Sequence, residues 1–88
     1  MKILFEKKFL KDIEALNDKY LKLQIEAVIS EIEKIEQLSM LRNLKKMKGH
    51  KSAYRIRIGD YRLGFFFESR TVICTCFLNR KDMYKYFP

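Results

Sequence analysis

The chain has 88 residues, of which 48% are hydrophobic and 34% are charged, and its formal net charge at pH 7 is +8. This length fits one compact domain, residues 1–88, and leaves no room for a second. No apolar run approaches the roughly 20 residues of a membrane-spanning helix, and the first residues, MKILFEKKFLKD, lack the apolar run and cleavage site of a signal peptide. We therefore expect a cytoplasmic protein without a membrane partner.

The positive charge is concentrated in one half of the sequence. Residues 1–41 carry 7 basic and 8 acidic side chains, whereas residues 42–88 carry 12 basic and 3 acidic ones. This asymmetry indicates a polyanionic partner, and it favours nucleic acid over lipid because the basic half has no amphipathic basic helix. A surplus of charge that only keeps the protein soluble is the alternative interpretation.

The first half of the chain predicts a short strand followed by two helices. The strand is KILF, residues 2–5, and apolar side chains then recur at helical spacing between Phe9 and Leu16. The second helix is longer, because residues 20–36 carry apolar side chains at i, i+4, i+7, i+8, i+11 and i+14 from Leu21. The two helices form a hairpin whose apolar stripes need a partner surface.

Three strand-like segments follow the basic connector RNLKKMKGHKS, residues 42–52. They are AYRIRI, DYRLGFFFE and RTVICTCFL, joined by turns at Gly59-Asp60 and at Ser69-Arg70. A two-residue turn at the first junction fixes the register of its two strands, with alternate pairs on opposite faces of the sheet. The apolar face, which the helices are expected to cover, consists of Tyr54, Ile56, Ile58, Tyr61, Leu63, Phe65 and Phe67.

The opposite face of this hairpin carries Arg55, Arg57 and Arg62, with Arg57 directly across from Arg62. Like charges placed opposite one another destabilise a sheet by up to about 1 kcal/mol, so the fold itself has no reason to choose them. The register also sets Arg55 against Gly64, whose missing side chain predicts open space for a phosphate or a base. We therefore expect this face to bind an anionic ligand.

A fourth arginine and a tyrosine are predicted to join this face. Counting from the Ser69-Arg70 turn pairs Gly64 with Thr75. The same count places Arg80 at the Gly59-Asp60 end of the hairpin. If NRKDMYKYF is helical, Tyr84 lies one helical turn beyond Arg80 on the same side.

The remaining residue types with chemical potential favour structural roles. Cys74 and Cys76 stand two apart in a strand, so we expect both on one face with Cα atoms about 6.5 Å apart, a poor geometry for a disulfide. Without nearby histidines they also fall short of a zinc site, and we expect no metal and no cofactor. The single histidine, His50, is interpreted as a surface residue of the connector.

The string YRIRIGDYRLGFFF, followed by NRKDMYKYF, resembles the RelE/ParE toxin superfamily of bacterial type II toxin–antitoxin systems. The resemblance extends over most of the chain. It implies an α+β fold in which a small antiparallel sheet packs on an N-terminal helical hairpin, in the order β-α-α-β-β-β with a short C-terminal helix. It also implies RelE-like activity, a ribosome-dependent endoribonuclease that cleaves messenger RNA and inhibits translation, and a cognate antitoxin protein as the partner. The basic charge of this chain predicts that the antitoxin is acidic where it binds.

The resemblance also suggests site residues. The positions that match the family's catalytic groups are Arg55, Arg57, Arg62, Arg80 and Tyr84. The lysines of the connector, which we assign to binding RNA or the ribosome, are Lys45, Lys46, Lys48 and Lys51.

The sequence departs from the RelE-like pattern at two positions. Arg57 stands where such members commonly have lysine, and Asn79 stands where many have histidine. A guanidinium group is a poor proton acceptor, so no general base is evident. Two other functions therefore stay open, which are a non-enzymatic ParE-like toxin that binds and inhibits DNA gyrase, and an RNA-binding domain that does not cleave.

Overall fold

A five-stranded sheet packed on a helical hairpin forms the fold in the computed structural model, which describes residues 1–88. In chain order the elements are β1 (Lys2–Phe5), α1 (Lys7–Glu14), α2 (Lys19–Lys34), a 3-10 turn (Leu38–Met40), β2 (Leu44–Lys46), β3 (Ala53–Ile58), β4 (Tyr61–Glu68), β5 (Thr71–Asn79) and α3 (Arg80–Tyr86). The strand order is β1-β5-β4-β3-β2, with β1 parallel to β5 and the other pairs antiparallel. The predicted α+β class is confirmed. No helix has both the length and the apolar character to cross a membrane.

The helices cover the predicted apolar face of the sheet. Asp18 caps α2 by accepting a hydrogen bond from the Leu21 backbone N–H at 3.0 Å, which satisfies a donor that the first helical turn leaves free. The main core cluster includes Phe9 of α1 and Ile25 of α2. On the sheet side, the buried members from β3 and β4 are Ile56, Ile58, Leu63 and Phe65, with Tyr54, Tyr61 and Phe67 packed at the margin.

The hairpin of β3 and β4 has the predicted register. Arg57 pairs with Arg62 and Arg55 pairs with Gly64, because the turn between the strands has only two residues. Gly59 begins that turn with a φ of 62°, a left-handed conformation that glycine adopts without strain. The arginines therefore lie on the sheet face away from α1 and α2.

The basic connector contains a strand that the sequence did not reveal. Residues Leu44–Lys46 form β2, an edge strand in which Lys45 lies directly opposite Arg55. Three residues with one apolar side chain are too few to show the alternation that indicates a strand. The consequence for the site is that one connector lysine lies next to the arginines.

The predicted pairing of β5 with β4 is correct from Thr71 to Cys74 and is wrong by one residue after that point. Gly64 pairs with Cys76, not with Thr75, because a β-bulge inserts Thr75 as an extra residue between two pairs. Because of the bulge, the two cysteines lie on opposite faces of the sheet, so the prediction that they share a face is wrong. Cys74 packs in the main core, and Cys76 packs in a smaller cluster on the arginine face. Both are free thiols, and burial raises the pKa of Cys74 to about 12 and that of Cys76 to about 11.

Side chains from the N-terminal segment hold the bulge in place. The Asp12 carboxylate of α1 accepts a hydrogen bond from the Phe77 backbone N–H at 2.8 Å, and Glu6 accepts one from the Thr75 hydroxyl at 2.8 Å. Asp12 also forms an ion pair with Lys8 at 2.6 Å on the surface of α1.

We expect Asp12→Ala to lower the free energy of unfolding by about 1.5–3 kcal/mol, because it removes a charged acceptor from a partly buried N–H. Urea unfolding of the variant measures the loss. The matched control is Lys8→Ala, which removes the exposed ion pair and is expected to cost less than about 1 kcal/mol. Equal losses in the two variants would show that the ion pair, and not the bulge contact, is responsible.

Candidate nucleic-acid site

An open cavity of about 330 Å³ lies on the sheet face away from α1 and α2. Its lining residues are Asn43, Leu44, Lys45, Arg55, Arg57 and Arg62. Four of the six are cationic and none is acidic, and the salt bridge between Lys8 and Asp12 is the only one in the structure. The cations of this cavity are therefore left without protein counter-charges.

Arg62 is the most constrained cation of the cavity. Its Nη1 donates hydrogen bonds to the carbonyl oxygens of Gly59, at 3.1 Å, and of Tyr61, at 2.9 Å. Partial burial lowers the pKa of Arg62, and the neighbouring charges of Arg55, Arg57 and Arg80 lower it further. Four guanidinium groups thus repel one another in one small region, an arrangement that a bound phosphate would relieve.

Helix α3 begins at the Gly59-Asp60 turn, as predicted. The Arg80 backbone N–H donates to the Asp60 carbonyl oxygen at 3.0 Å, and the Asn79 side chain caps the helix by accepting from the Asp82 N–H at 2.9 Å. Asn79, which stands where many RelE-like members have histidine, therefore has a structural role at the start of this helix.

Tyr84 projects from α3 towards the arginines. The Cζ atom of Arg55 lies 5.4 Å from the centroid of the Tyr84 ring, a cation–π contact, while the side chain stays 63% exposed. Interaction of the hydroxyl with the Arg80 guanidinium, and then with that of Arg55, lowers the pKa of Tyr84, because nearby positive charge favours the phenolate. The structure thus brings Tyr84 together with the four arginines; their catalytic roles stay a prediction.

Gly64 does not provide the open space that the sequence suggested. A Cβ atom built on Gly64 would lie 2.9 Å from the Cys76 Sγ and 3.0 Å from two ring atoms of Phe87. The prediction failed because the sequence shows a missing side chain but not the residue that fills its place. The accessible cavity lies nearer the β2 edge of the sheet.

The four connector lysines line three neighbouring pockets on this surface. Lys45 lines the arginine cavity, whereas Lys46, Lys48 and Lys51 line a shallow depression formed by the exposed loop that follows β2. A second depression, of about 210 Å³, is lined by Lys45, Lys46 and Lys48 together with Arg55 and Tyr84, so Lys51 alone lies apart from the arginine site. The positive surface is therefore continuous from the loop to Tyr84.

Two cavity residues, Asn43 and Leu44, were not identified from the sequence. Leu44 belongs to β2 and Asn43 directly precedes it, and the Asn43 backbone carbonyl oxygen accepts a hydrogen bond from the Arg57 N–H at 3.1 Å. No group of three or more His, Cys, Asp or Glu side chains is placed to hold a metal ion. His50 is exposed in the loop, as expected.

We expect Arg57→Gln to raise the free energy of unfolding by about 0.3–1 kcal/mol, because it removes the like-charge pair with Arg62. The gain should be largest at low ionic strength, since salt screens an exposed pair. Thermal unfolding at two salt concentrations measures it. Lys51→Gln, which changes the net charge equally at an exposed loop position, is the control; the same gain there would assign the effect to net charge.

Comparison with known proteins gives one consistent set of relatives. A sequence model of the family described as "ParE toxin of type II toxin-antitoxin system, parDE" matches residues 3–84. A curated relative named "Toxin RelE3", from Methanocaldococcus jannaschii, is 38% identical over 89 residues, and the alignment covers 100% of both chains.

Solved structures show the same fold. The chain resembles the toxin of a RelB-RelE antitoxin-toxin complex from Methanococcus jannaschii, with a TM-score of 0.82 and 35% identity, covering 97% of this chain and 99% of that one. An archaeal RelE-RelB complex from Pyrococcus horikoshii matches with a TM-score of 0.73 and 18% identity, covering 90% and 93% of the two chains, and supports the fold alone.

Proposed function

Because the chain belongs to the ParE toxin family of type II toxin–antitoxin systems, we propose that it is an endoribonuclease that cleaves messenger RNA on the ribosome and thereby inhibits translation. The observation that carries this proposal is the exposed group of four guanidiniums with a phenol among them. The cations of this surface have no protein counter-charges and so match a polyanion such as the RNA backbone, which favours RNA over a protein target such as gyrase. A cytoplasmic location follows, since translating ribosomes are there.

The proposed reaction is transfer of the phosphate within the RNA backbone. The 2′-hydroxyl attacks the adjacent phosphorus, forming a P–O2′ bond and breaking the P–O5′ bond, while the 5′ oxygen leaves with a proton taken from water. A deoxy substrate lacks this nucleophile, so the site would bind DNA without cutting it. Arg62 and Arg80 stabilise the extra negative charge on the phosphorane, a role in which preorganised groups contribute several kcal/mol.

Proton transfer is assigned to Tyr84. Arginine side chains stay protonated and cannot accept the 2′-hydroxyl proton, whereas the phenolate form of Tyr84, which its lowered pKa makes available at lower pH, can accept it. This assignment supplies the general base that the sequence pattern left without a candidate.

Primer extension on a message translated in a purified system, with and without the protein, tests the proposal. Discrete breaks inside codons support it, and the Arg62→Gln variant controls for a contaminating nuclease. Inhibition of DNA supercoiling by purified gyrase, with no breaks in the message, would instead select the ParE-like function. RNA binding without breaks or gyrase inhibition would select a binding domain.

We propose that the partner antitoxin carries an acidic, partly disordered segment that folds over the arginine surface. Complementary charge speeds such an encounter, and the segment would cover the RNA site. The dissociation constant of the complex should rise with salt concentration, as measured by calorimetry. A complex insensitive to salt would point to the apolar groove between α1 and α2, which is lined by Phe5, Leu10, Ile13 and Ile29 among others.

A further inference from the structure

Two stripes of side chains run along α3, which lies on the arginine face of the sheet. Met83 of α3 and Phe87, which directly follows the helix, are four residues apart, and they pack into the small cluster on this face with exposures of 0% and 5%. Arg80 and Tyr84, also four residues apart, form the adjacent exposed stripe. Neighbouring helical residues differ in direction by about 100°, so the seating of the first stripe determines where the second points.

The Phe87 ring packs against Gly64, which has no side chain to block it. Its ring occupies the place of the missing Cβ and packs against Phe66, with centroids 5.5 Å apart and ring planes tilted by 59°. Its backbone N–H donates to the Met83 carbonyl oxygen at 3.1 Å and so completes the last turn of the helix. Because Gly64 pairs with Arg55 on the neighbouring strand, this contact lies beside the cation that faces Tyr84.

The two ends of α3 are held by different contacts. Asn79 and the Asp60 carbonyl fix the start, close to Arg80, whereas Phe87 fixes the other end, close to Tyr84. A helix of seven residues has little stability of its own, so its orientation depends on these anchors. Loss of the C-terminal anchor should therefore displace Tyr84 more than Arg80.

We infer that Phe87 is a positioning residue for the site: its ring, seated over Gly64, fixes the roll of α3 and thereby the placement of the Tyr84 phenol against the Arg55 and Arg80 guanidiniums. Phe87 has no polar side-chain atom and does not line the cavity, so it acts only through Tyr84. The effect on cleavage rests on the proposed function, whereas the effect on the Tyr84 environment does not.

Titration of the Tyr84 phenol tests the positioning directly. Protein labelled at the tyrosine Cζ carbon is titrated by NMR, and the Tyr84→Phe variant assigns the resonance. In Phe87→Ala we expect the Tyr84 midpoint to move up, and in Phe87→Leu, which refills the space, to return towards the wild-type value. Tyr86→Ala is the matched control, because it removes a 69% exposed ring from the same helical turn and should leave the midpoint in place.

An unchanged Tyr84 midpoint in folded Phe87→Ala overturns the inference, as does an equal shift in Tyr86→Ala. Should Phe87→Ala not fold, Phe87→Val, which keeps part of the apolar volume, supplies the same comparison. The circular dichroism spectrum shows whether each variant is folded.

Single-turnover cleavage gives the kinetic consequence. A misplacement of about 1 Å can reduce a rate roughly a hundredfold, so Phe87→Ala should lower the saturated rate by about 10- to 100-fold. The concentration for half-saturation should change much less, because the loop lysines remain, and Phe87→Leu should restore most of the rate. If the wild-type protein does not cleave, the proposed function fails, and the titration alone then decides the positioning role.

Discussion

Replacing Arg62 by glutamine is expected to lower the saturated rate of RNA cleavage by roughly a hundredfold or more, the scale seen when one preorganised charge-stabilising group is lost. Arg62 is held by the Gly59 and Tyr61 carbonyls before any ligand arrives, so it needs no reorganisation in the transition state. Arg80→Gln is expected to behave in the same way. The measurement is single-turnover cleavage on programmed ribosomes with saturating protein.

Lys51→Gln provides the contrast, since Lys51 belongs to the exposed loop and lines neither the arginine cavity nor the depression at Arg55 and Tyr84. Loss of this lysine should weaken RNA binding and reduce the dependence of that binding on salt, while the saturated cleavage rate stays nearly unchanged. Lys45 lies within the arginine cavity, so we expect Lys45→Gln to resemble the arginine variants more than Lys51→Gln does. If the arginine and loop variants all lost only affinity, the surface would bind RNA without catalysis and the enzyme proposal would be wrong.

The register of the arginines could be predicted because it depends on local information. A two-residue turn and strict alternation determine which side chains share a face, and both features are visible within residues 53–67. The position of Arg80 near these arginines could also be predicted, because β5 runs back to the Gly59-Asp60 turn and Arg80 directly follows β5.

The bulge at Thr75 could not be predicted because its supporting contacts come from far along the chain. Asp12 and Glu6, which bond to Phe77 and Thr75, are 65 and 69 residues away in sequence. The same limit explains Gly64, since the residue that fills its space, Phe87, is brought there by α3. Distant tertiary contacts, which local patterns do not encode, decided both features.

Tyr84→Phe is expected to lower the saturated cleavage rate by about 10²–10⁴-fold, the usual contribution of a general acid or base. The substitution keeps the ring, and with it the contact to Arg55 and any stacking on a base, so the affinity for RNA should change little. Single-turnover rates at saturation separate the two roles. An unchanged rate in Tyr84→Phe would assign the residue to stacking alone.

The pH dependence of the rate gives the matching test of the Tyr84 hydroxyl. Because Arg80 and Arg55 lower the pKa of Tyr84, the reactive phenolate forms at a lower pH than it does in an ordinary tyrosine. The wild-type rate should therefore rise with pH up to this lowered pKa and then level off. Arg80→Gln removes the largest cause of the lowered Tyr84 pKa. In this variant the increase in rate with pH should therefore occur at higher pH, in addition to the overall loss of rate. A profile whose midpoint is the same in wild type and Arg80→Gln would show that the titrating group is not Tyr84.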